Sequence, residues 1–359
     1  MSLLHPLPTN AARGVFVDDN IRLLRSMGHD VKVVNPLPRM PKYAEARRST
    51  MMGVAKAPRV WRHRNEEVLV PRFFALPDHP YPRLTRASVA RRARWVEQRL
   101  GDWRPDAIVC HTLWPVASLA ERLALRWKVP WVGVVHGYDV DVALRDPNLA
   151  PHVKRSIRSC HTLVCASDRL ENAVHEHVDA PQATVTIPCH TEVDAEWRRP
   201  VKPLTKNWQK EPIDILFPAD PRRPEKRHLL ALETGQELEQ RGWMVGITTL
   251  RHQPRNIVFD RMLVADVTLI TSSREGGPLV ARESLLCGTP VVSVAVGEVD
   301  RYLPTPWVCE PTPTALADGI EHALRHGWEQ ASTPEEVLAF ASKEAVTKAW
   351  NELLANLEA

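Results

Sequence analysis

Short apolar runs alternate with longer amphipathic segments along this 359-residue chain. That alternation restricts the fold more than any other feature. VKVVNP (31–36), DAIVCH (106–111), WVGVVHG (131–137), HTLVCAS (161–167) and ATVTIP (183–188) read as strands. Between them WVEQRLGDW (95–103) closes one helix, VASLAERLALRW (116–127) forms another, and a third is expected around Arg169 to Val178. WRRPVKPLTKNWQKEP (197–212) is polar, contains prolines and reads as a linker. The alternation then restarts. IDILFP (213–218), MVGITTL (244–250), DVTLIT (266–271) and PVVSVAV (290–296) are strand candidates. RHLLALETGQELEQRG (227–242) and two C-terminal segments, about Pro313 to His326 and Pro334 to Leu357, are helical. Fully apolar strands separated by helices of this length mean βαβ units around a mostly parallel sheet. The chain is therefore expected to form two α/β domains in tandem, with the ligand in the cleft between them.

Composition narrows the class further. Hydrophobic residues make up 44% and charged residues 25%, the balance of a globular protein. Nothing approaches the roughly 18 apolar residues of a membrane span. MSLLHPLPTN lacks a basic segment followed by an apolar one, so no signal peptide is read and a cytoplasmic location is expected. The six cysteines (110, 160, 165, 189, 287, 309) show no metal spacing and read as reduced, mostly buried thiols. The net charge of +4 hides an asymmetry. From Arg39 to Arg104 there are 16 Lys/Arg against 6 Asp/Glu, with Trp61, Trp95 and Trp103 interleaved. Such a stretch is either a solvated surface or a face for an anionic partner: a phospholipid surface, a lipid diphosphate or nucleic acid.

The string SREGGPLVARESLLCGTPVV (273–292) follows a buried strand. SREGGP is a turn at the strand's C-terminal end. LVARESLLC is a helix, closed by Gly288 with Pro290 two residues on. Gly276, Gly277 and the first helical N–H groups thus sit at the mouth of the sheet, where glycine lets a ligand approach closely. Glu275 lies on the loop and Glu283 about one turn into the helix, on the side expected to face the cleft. Each carboxylate can accept the hydrogen bonds of a vicinal diol.

EGGPLVARESLLCGTPVV closely resembles the E-x7-E signature of retaining glycosyltransferases with the GT-B fold, of the family 4-like, bacterial surface-glycan type. The resemblance implies two Rossmann-like domains facing each other across a cleft. Residues 1–196 would bind the acceptor, 197–335 the nucleotide sugar, and 336–359 would be a helix packing back on the first domain. It implies that Glu275 with Gly276, Gly277, Pro278 and Leu279 holds the donor sugar, and that Glu283 holds the nucleotide ribose. VFVDDNIRLLRSMGHDVKVV (15–34) resembles the family's first helix and second strand, with Gly14 in the loop beside the donor phosphates. VGVVHGYDVD (132–141) resembles its His-Gly segment, so His136 would contact sugar or acceptor. FPADPRRPEKRHLLALE (217–233) resembles the first strand, loop and helix of the second domain, implying Lys226 and either Arg222 or Arg223 against the diphosphate. His111 closes a strand and either faces the acceptor or is a structural histidine. Three departures bear on nucleotide identity: Ala219-Asp220 stands for the usual glycine-arginine pair, CHTEVD (189–194) for an Asn-Gly-Val-Asp turn, and Arg251 to Ala265 is short.

The resemblance implies catalysis by His136, Glu275 and Lys226 without a metal or other cofactor. Asp139-Val140-Asp141 has the form of a metal-binding DxD motif, yet it directly follows His136-Gly137 and fits the GT-B segment instead. The expected acceptor is a lipid-linked or cell-envelope glycan, with the 39–104 region meeting a membrane surface or a lipid diphosphate at the inner membrane face. Two alternatives stand beside it: transfer to modified bases in DNA, and a sugar-binding module without catalysis. A nicotinamide-dependent Rossmann enzyme is disfavoured, because no GxGxxG follows a strand.

Overall fold

The computed structural model describes residues 1–45, 51–76, 80–179, 183–201, 206–207, 210–251, 253–325, 329, 331 and 333–357. The chain divides into two compact units: Met1–Pro188 together with Thr347–Ala359, and Cys189–Val346. The expected linker 197–212 lies partly outside the described residues.

The first unit contains strands β1 (Val33–Val34), β2 (Leu37–Pro38), β3 (Val60–His63), β4 (Glu66–Leu69), β5 (Arg72–Phe73), β6 (Ile108–His111), β7 (Trp131–Val135), β8 (Thr162–Cys165) and β9 (Ala183–Thr186). Its helices are α1 (Val15–Ser26), α2 (Lys42–Glu45), α3 (Pro82–Ala90), α4 (Ala93–Leu100), α5 (Ala117–Trp127), α6 (Ala150–Ser159) and α7 (Asp168–His177). β6-β7-β8-β9 form a parallel sheet, and β1-β4-β3 a second, in which only β3 runs antiparallel. Every residue of β7 and β8 is buried, as a strand covered by helices on both faces must be. Val33 and Val68 pack with Val17 and Ile21 of α1. Val34 and Leu69 point the other way, toward Val96 of α4 and Leu123 of α5.

The second unit contains β10 (Ile213–Phe217), α8 (His228–Gln240), β11 (Val245–Thr249), α9 (Arg255–Val264), β12 (Val267–Ile270), α10 (Leu279–Leu286), β13 (Val291–Val294), β14 (Val308–Cys309), α11 (Pro313–Arg325) and α12 (Pro334–Leu338), while α13 (Lys343–Ala355) starts in it and belongs to the first unit from Thr347 onward. Among the described residues its five strands are all parallel, in the order β11-β10-β12-β13-β14. The chain moves outward from β10 to β11, then returns to the other side of β10 at β12. The loops after β10 and β12 therefore diverge at a topological switch point, where open parallel sheets bind ligands.

One expectation changes. The helix expected over Pro334 to Leu357 is two helices. The Ala341 carbonyl leaves the helical ladder to accept from the Thr191 N–H at 2.9 Å, and the Ser342 hydroxyl caps the next helix by accepting from the Ala345 N–H at 3.1 Å. Within 39–104 most described cations are exposed, and two are held internally. Arg72 donates to the Pro38 and Ala57 carbonyls, and Arg86 pairs with Glu121 while donating to Ser156. The described cysteines are all free thiols. No described helix is long and apolar enough to cross a membrane.

Candidate active site

In the second unit the chemistry gathers on the two switch-point loops. Pro218, Pro221 and Pro224 stiffen the loop after β10 by fixing their own φ angles. Asp220 supplies the first turn. Its carboxylate accepts from the Arg222 backbone N–H (3.0 Å) and from Arg222 Nε (3.1 Å) and Nη2 (2.8 Å). This fork holds the Asp220 carboxyl down at about 2, chiefly through those side-chain bonds. Asp220, the second residue of Ala219-Asp220, thus fixes the side chain of Arg222. Arg223 donates to Glu225 at 2.8 Å.

Backbone bonds then zip the two loops together. The Ser273 N–H donates to the Glu225 carbonyl (2.8 Å), and Thr271 Oγ1 to the Lys226 carbonyl (2.7 Å). Arg227, at φ +48°, donates its guanidinium to the Thr271 and Ser272 carbonyls. Because β10 and β12 are adjacent, this brings Lys226 and Glu275 into contact across 49 residues of sequence. Lys226 Nζ donates to Glu275 Oε1, which also accepts from Ser272 Oγ at 2.7 Å. Both side chains remain partly accessible, 14% for Lys226 and 17% for Glu275. Gly276 and Gly277 follow half-buried, and Pro278 caps α10, opening it at Leu279. Gly297, at φ +61°, lies so close that a Cβ would sit 2.8 Å from Pro278 Cδ. Sequence reading missed that glycine, whose role comes from a contact nineteen residues away.

Glu283 differs from expectation. It is not an open carboxylate on a cleft-facing side: it is 2% exposed, and its Oε1 accepts from Arg255 Nη2 at 2.6 Å. Arg255 begins α9, inside the segment read as merely short. Its side chain is about one-third exposed, so the pair reaches solvent through the arginine. The neighbouring Arg282 is buried on another side of the helix. It donates to Thr191 Oγ1 (2.8 Å), Glu298 Oε1 (2.8 Å) and the Cys189 carbonyl (2.9 Å). The end of α10 follows from sequence as expected. Gly288, at φ +83°, donates to the Leu285 carbonyl and Thr289 to that of Ser284, a Schellman closure.

In the first unit Gly14 caps α1 at φ +63°, and a Cβ there would lie 2.6 Å from the Leu4 carbonyl carbon. Only glycine fits. Arg13 is buried and braces the same loop by donating to the Leu3 (2.8 Å) and His5 (3.1 Å) carbonyls. His111, at the end of β6, and His136, just past β7, are neighbours because those strands pair. His111 Nδ1 lies 3.3 Å from His136 Nε2, and the rings stack at 5.6 Å. His111 Nε2 lies 3.1 Å from Asn20 Oδ1. An amide oxygen only accepts, so neutral His111 carries its proton on Nε2 and accepts at Nδ1 from the Nε2–H of His136. That leaves His136 Nδ1 as a hydrogen-bond acceptor. Burial lowers the His136 pKa to about 4 and that of His111 well below its usual value. Both are neutral imidazoles at neutral pH. Phe16 packs on His136 at 4.6 Å. Asn20 and Phe16 carried no sequence signal, since neither lies near a histidine in the chain.

The Asp139 and Asp141 carboxylates have internal tasks. Asp139 is fully buried and accepts from the Leu113, Trp114 and His136 N–H groups. Asp141 forms a two-pronged pair with Arg169, both distances 2.9 Å. Among the described residues no cluster of three His, Cys, Asp or Glu side chains could hold a metal ion.

Comparison with known proteins bears on the family and the fold. Residues 14–190 match a glycosyl transferase 4-like domain, and residues 235–336 match glycosyl transferases group 1. TuaC of Bacillus subtilis (strain 168), whose name assigns it as a glycosyltransferase of teichuronic acid biosynthesis, is 23% identical over 92% of this chain and 89% of its own. Sucrose-phosphate synthase from Thermosynechococcus elongatus superposes with a TM-score of 0.67 at 19% identity, covering 96% of this chain and 93% of its own. Anabaena HepE, solved with UDP and glucose, superposes with a TM-score of 0.63 at 15% identity over 95% of both chains.

Proposed function

This chain is a glycosyltransferase of the GT-B fold, and we propose that it moves a sugar, with retention, from a nucleoside-diphosphate sugar to a lipid-linked or cell-envelope glycan. The observation that carries this reading is the meeting of Lys226 with Glu275 at the switch point of the second unit, beside Arg222 and Arg223. The sugar's C1–O bond to the diphosphate breaks, the acceptor oxygen bonds C1 on the same face, and the acceptor's proton passes to the departing phosphate. Negative charge grows on that phosphate, so fixed cations and N–H groups stabilise the transition state most. Lys226 and one of Arg222 or Arg223 supply the cations, and the Gly14 loop supplies backbone. Glu275 with residues Gly276 to Leu279 orients the sugar. Glu283, held by Arg255, receives the ribose hydroxyls. His136 serves as a neutral hydrogen-bond partner of sugar or acceptor, with His111 setting its tautomer. No metal is needed, because lysine and arginine take the cation's place.

HepE, solved with UDP and glucose, supports a nucleotide-sugar donor, and TuaC's name supports an envelope-glycan acceptor. A lipid-borne acceptor is favoured over DNA by the surface at the ends of β2 and β5. These strands are parallel and finish at one edge. There Arg39, Lys42 and Arg83 stand exposed beside Tyr43, Phe74, Leu76, Tyr81 and Leu84, all five of them large exposed apolar side chains. Mixed cations, tyrosines and aliphatics suit an anionic membrane interface at the cytoplasmic face. DNA phosphates have no use for exposed leucines.

A thermal-shift panel of UDP, GDP, ADP and their sugars tests the donor reading: a true donor raises the melting temperature. Lys226→Ala and Glu275→Ala should each cut transfer from that donor by about 100-fold or more while the fold survives. Wild-type rates in both variants would refute the site.

A further inference from the structure

The loops at the mouth of the second sheet attract phosphates of every kind. Residues 218–227, 250–254 and 271–278 carry six lysines and arginines against three carboxylates. Arg251 and Arg274 are exposed and bear electrostatically on Asp220 and Glu225. Such a surplus of cations draws any phosphate, whatever the phosphate carries. Positive charge alone therefore cannot separate a sugar nucleotide from a nucleoside triphosphate, since both present a diphosphate.

Glu275 is placed to make that separation. Its Oε1 accepts from Lys226 Nζ and from Ser272 Oγ, the second at 2.7 Å. Ser272 is buried, and the backbone on this side of Glu275 is pinned. The Arg227 guanidinium donates to the Ser272 carbonyl at 3.1 Å, and the Ser273 N–H to the Glu225 carbonyl at 2.8 Å. The carboxylate thus stands on a braced turn, beside whatever Lys226 binds. The other two carboxylates of these loops are engaged by their own arginines, Asp220 by Arg222 and Glu225 by Arg223. A carboxylate only accepts hydrogen bonds. It takes the O–H groups of a sugar and repels the oxygens of an ionised phosphate, which have no proton to give.

We propose that Glu275 determines specificity at this site by charge: it admits a nucleoside diphosphate whose outer phosphate carries a sugar, and it rejects nucleotides that end in phosphate. This rests on the donor reading, in which Lys226 meets the diphosphate and Glu275 the sugar. The sugar of a donor and the third phosphate of a triphosphate are attached to the same outer phosphate, so they compete for the same place. A sugar there offers hydroxyls to Glu275 and leaves Lys226 to the phosphate. A third phosphate sets like charges together, the repulsive element by which a site discriminates against a wrong ligand. The nucleoside diphosphate left after transfer also ends in phosphate, and the same repulsion favours its release.

Calorimetric titration of the full chain tests this, in EDTA so that magnesium does not mask the triphosphate. The probes are the uridine, guanosine and adenosine series, each as triphosphate, diphosphate and diphosphate-glucose. In the series that binds, the parent should prefer the sugar nucleotide over the triphosphate by about tenfold or more. Glu275→Gln should erase that preference, tightening the triphosphate and the diphosphate about tenfold while the sugar nucleotide binds equally or more weakly. Glu275→Ala should move the ratio the same way, so that one misfolded variant leaves the other to decide. A parent that takes the triphosphate as tightly as the sugar nucleotide would overturn the proposal, and so would a triphosphate affinity unchanged in the variants. Equal tightening of all three ligands would show a general field of charge and overturn it too. Those results leave the donor reading standing, because the sugar nucleotide still binds the parent. If no ligand of any series binds parent or variant, the donor reading and the proposal fall together.

Discussion

Replacing Arg282 by methionine should melt the second unit far more than any loop substitution. The side chain is 1% exposed and its partner Glu298 is 5% exposed. The guanidinium serves three acceptors, Glu298, Thr191 and the Cys189 carbonyl, all at 2.8–2.9 Å, and its cation lies 5.4 Å from the Phe340 ring. Methionine fills most of the volume but donates nothing. Glu298 then keeps its burial and loses the Arg282 guanidinium, and breaking a buried pair in this way costs about 3–5 kcal/mol. For a unit spanning Cys189–Val346, each kcal/mol moves Tm by about 2–4 °C, so the expected fall is about 6–20 °C. Calorimetry or near-ultraviolet dichroism reads it without any substrate. The double variant Arg282→Met with Glu298→Gln removes both charges and should recover at least about 1–2 kcal/mol of the loss. A single variant melting within 2 °C of the parent, or strictly additive losses in the double, would refute the reasoning.

Three other predictions follow from the geometry. His5 and His136 have pKa values lowered to about 4 by burial, and His111 lies well below the usual 6.5. Below pH 6.5 the unfolded chain takes up protons that these folded imidazoles refuse, so stability is whole above that pH and falls as pH drops toward 4, by up to about 1.4 kcal/mol per group and pH unit. Asp139, raised to about 6 by burial, works the opposite way and offsets one group's share. Urea titrations at pH 7 and 5 should show a net loss that His5→Asn and His136→Asn variants flatten; a stability that holds or rises would contradict it. Arg255→Ala should weaken nucleotide binding about tenfold, roughly 1.4 kcal/mol, with Arg255→Lys restoring part; calorimetric titration showing unchanged affinity would remove Glu283 from the ribose contact. EDTA should leave transfer intact, and Asp141→Asn should lower Tm without creating a metal requirement; activity lost to EDTA and restored by Mn would revive the metal reading of Asp139 and Asp141.

Much of this molecule was legible without coordinates. The strand at DVTLIT, the turn SREGGP and the helix closed at Gly288 follow from apolar patterning and from the left-handed φ that glycine accepts. These are local properties, dictated by neighbours in the chain. The same local rules could not show that the helix expected over Pro334 to Leu357 breaks at Ala341, because the break follows a hydrogen bond to Thr191, 150 residues upstream.

The sequence determined which residue types stand at the sheet mouths: Glu275 beside two glycines, Lys226 after a proline-stiffened loop, His136 after a buried strand. Only the tertiary structure decided what each one faces. Strand order put the β10 and β12 loops side by side, so Lys226 found Glu275, whereas Arg255 found a Glu283 that patterning had left open. Strand pairing likewise set His111 against His136 and made both neutral. The physical reason is one of range. Backbone preference and amphipathic period act over a few residues and are written in the chain, while charge partnership and desolvation act through space and depend on which segments the fold brings together.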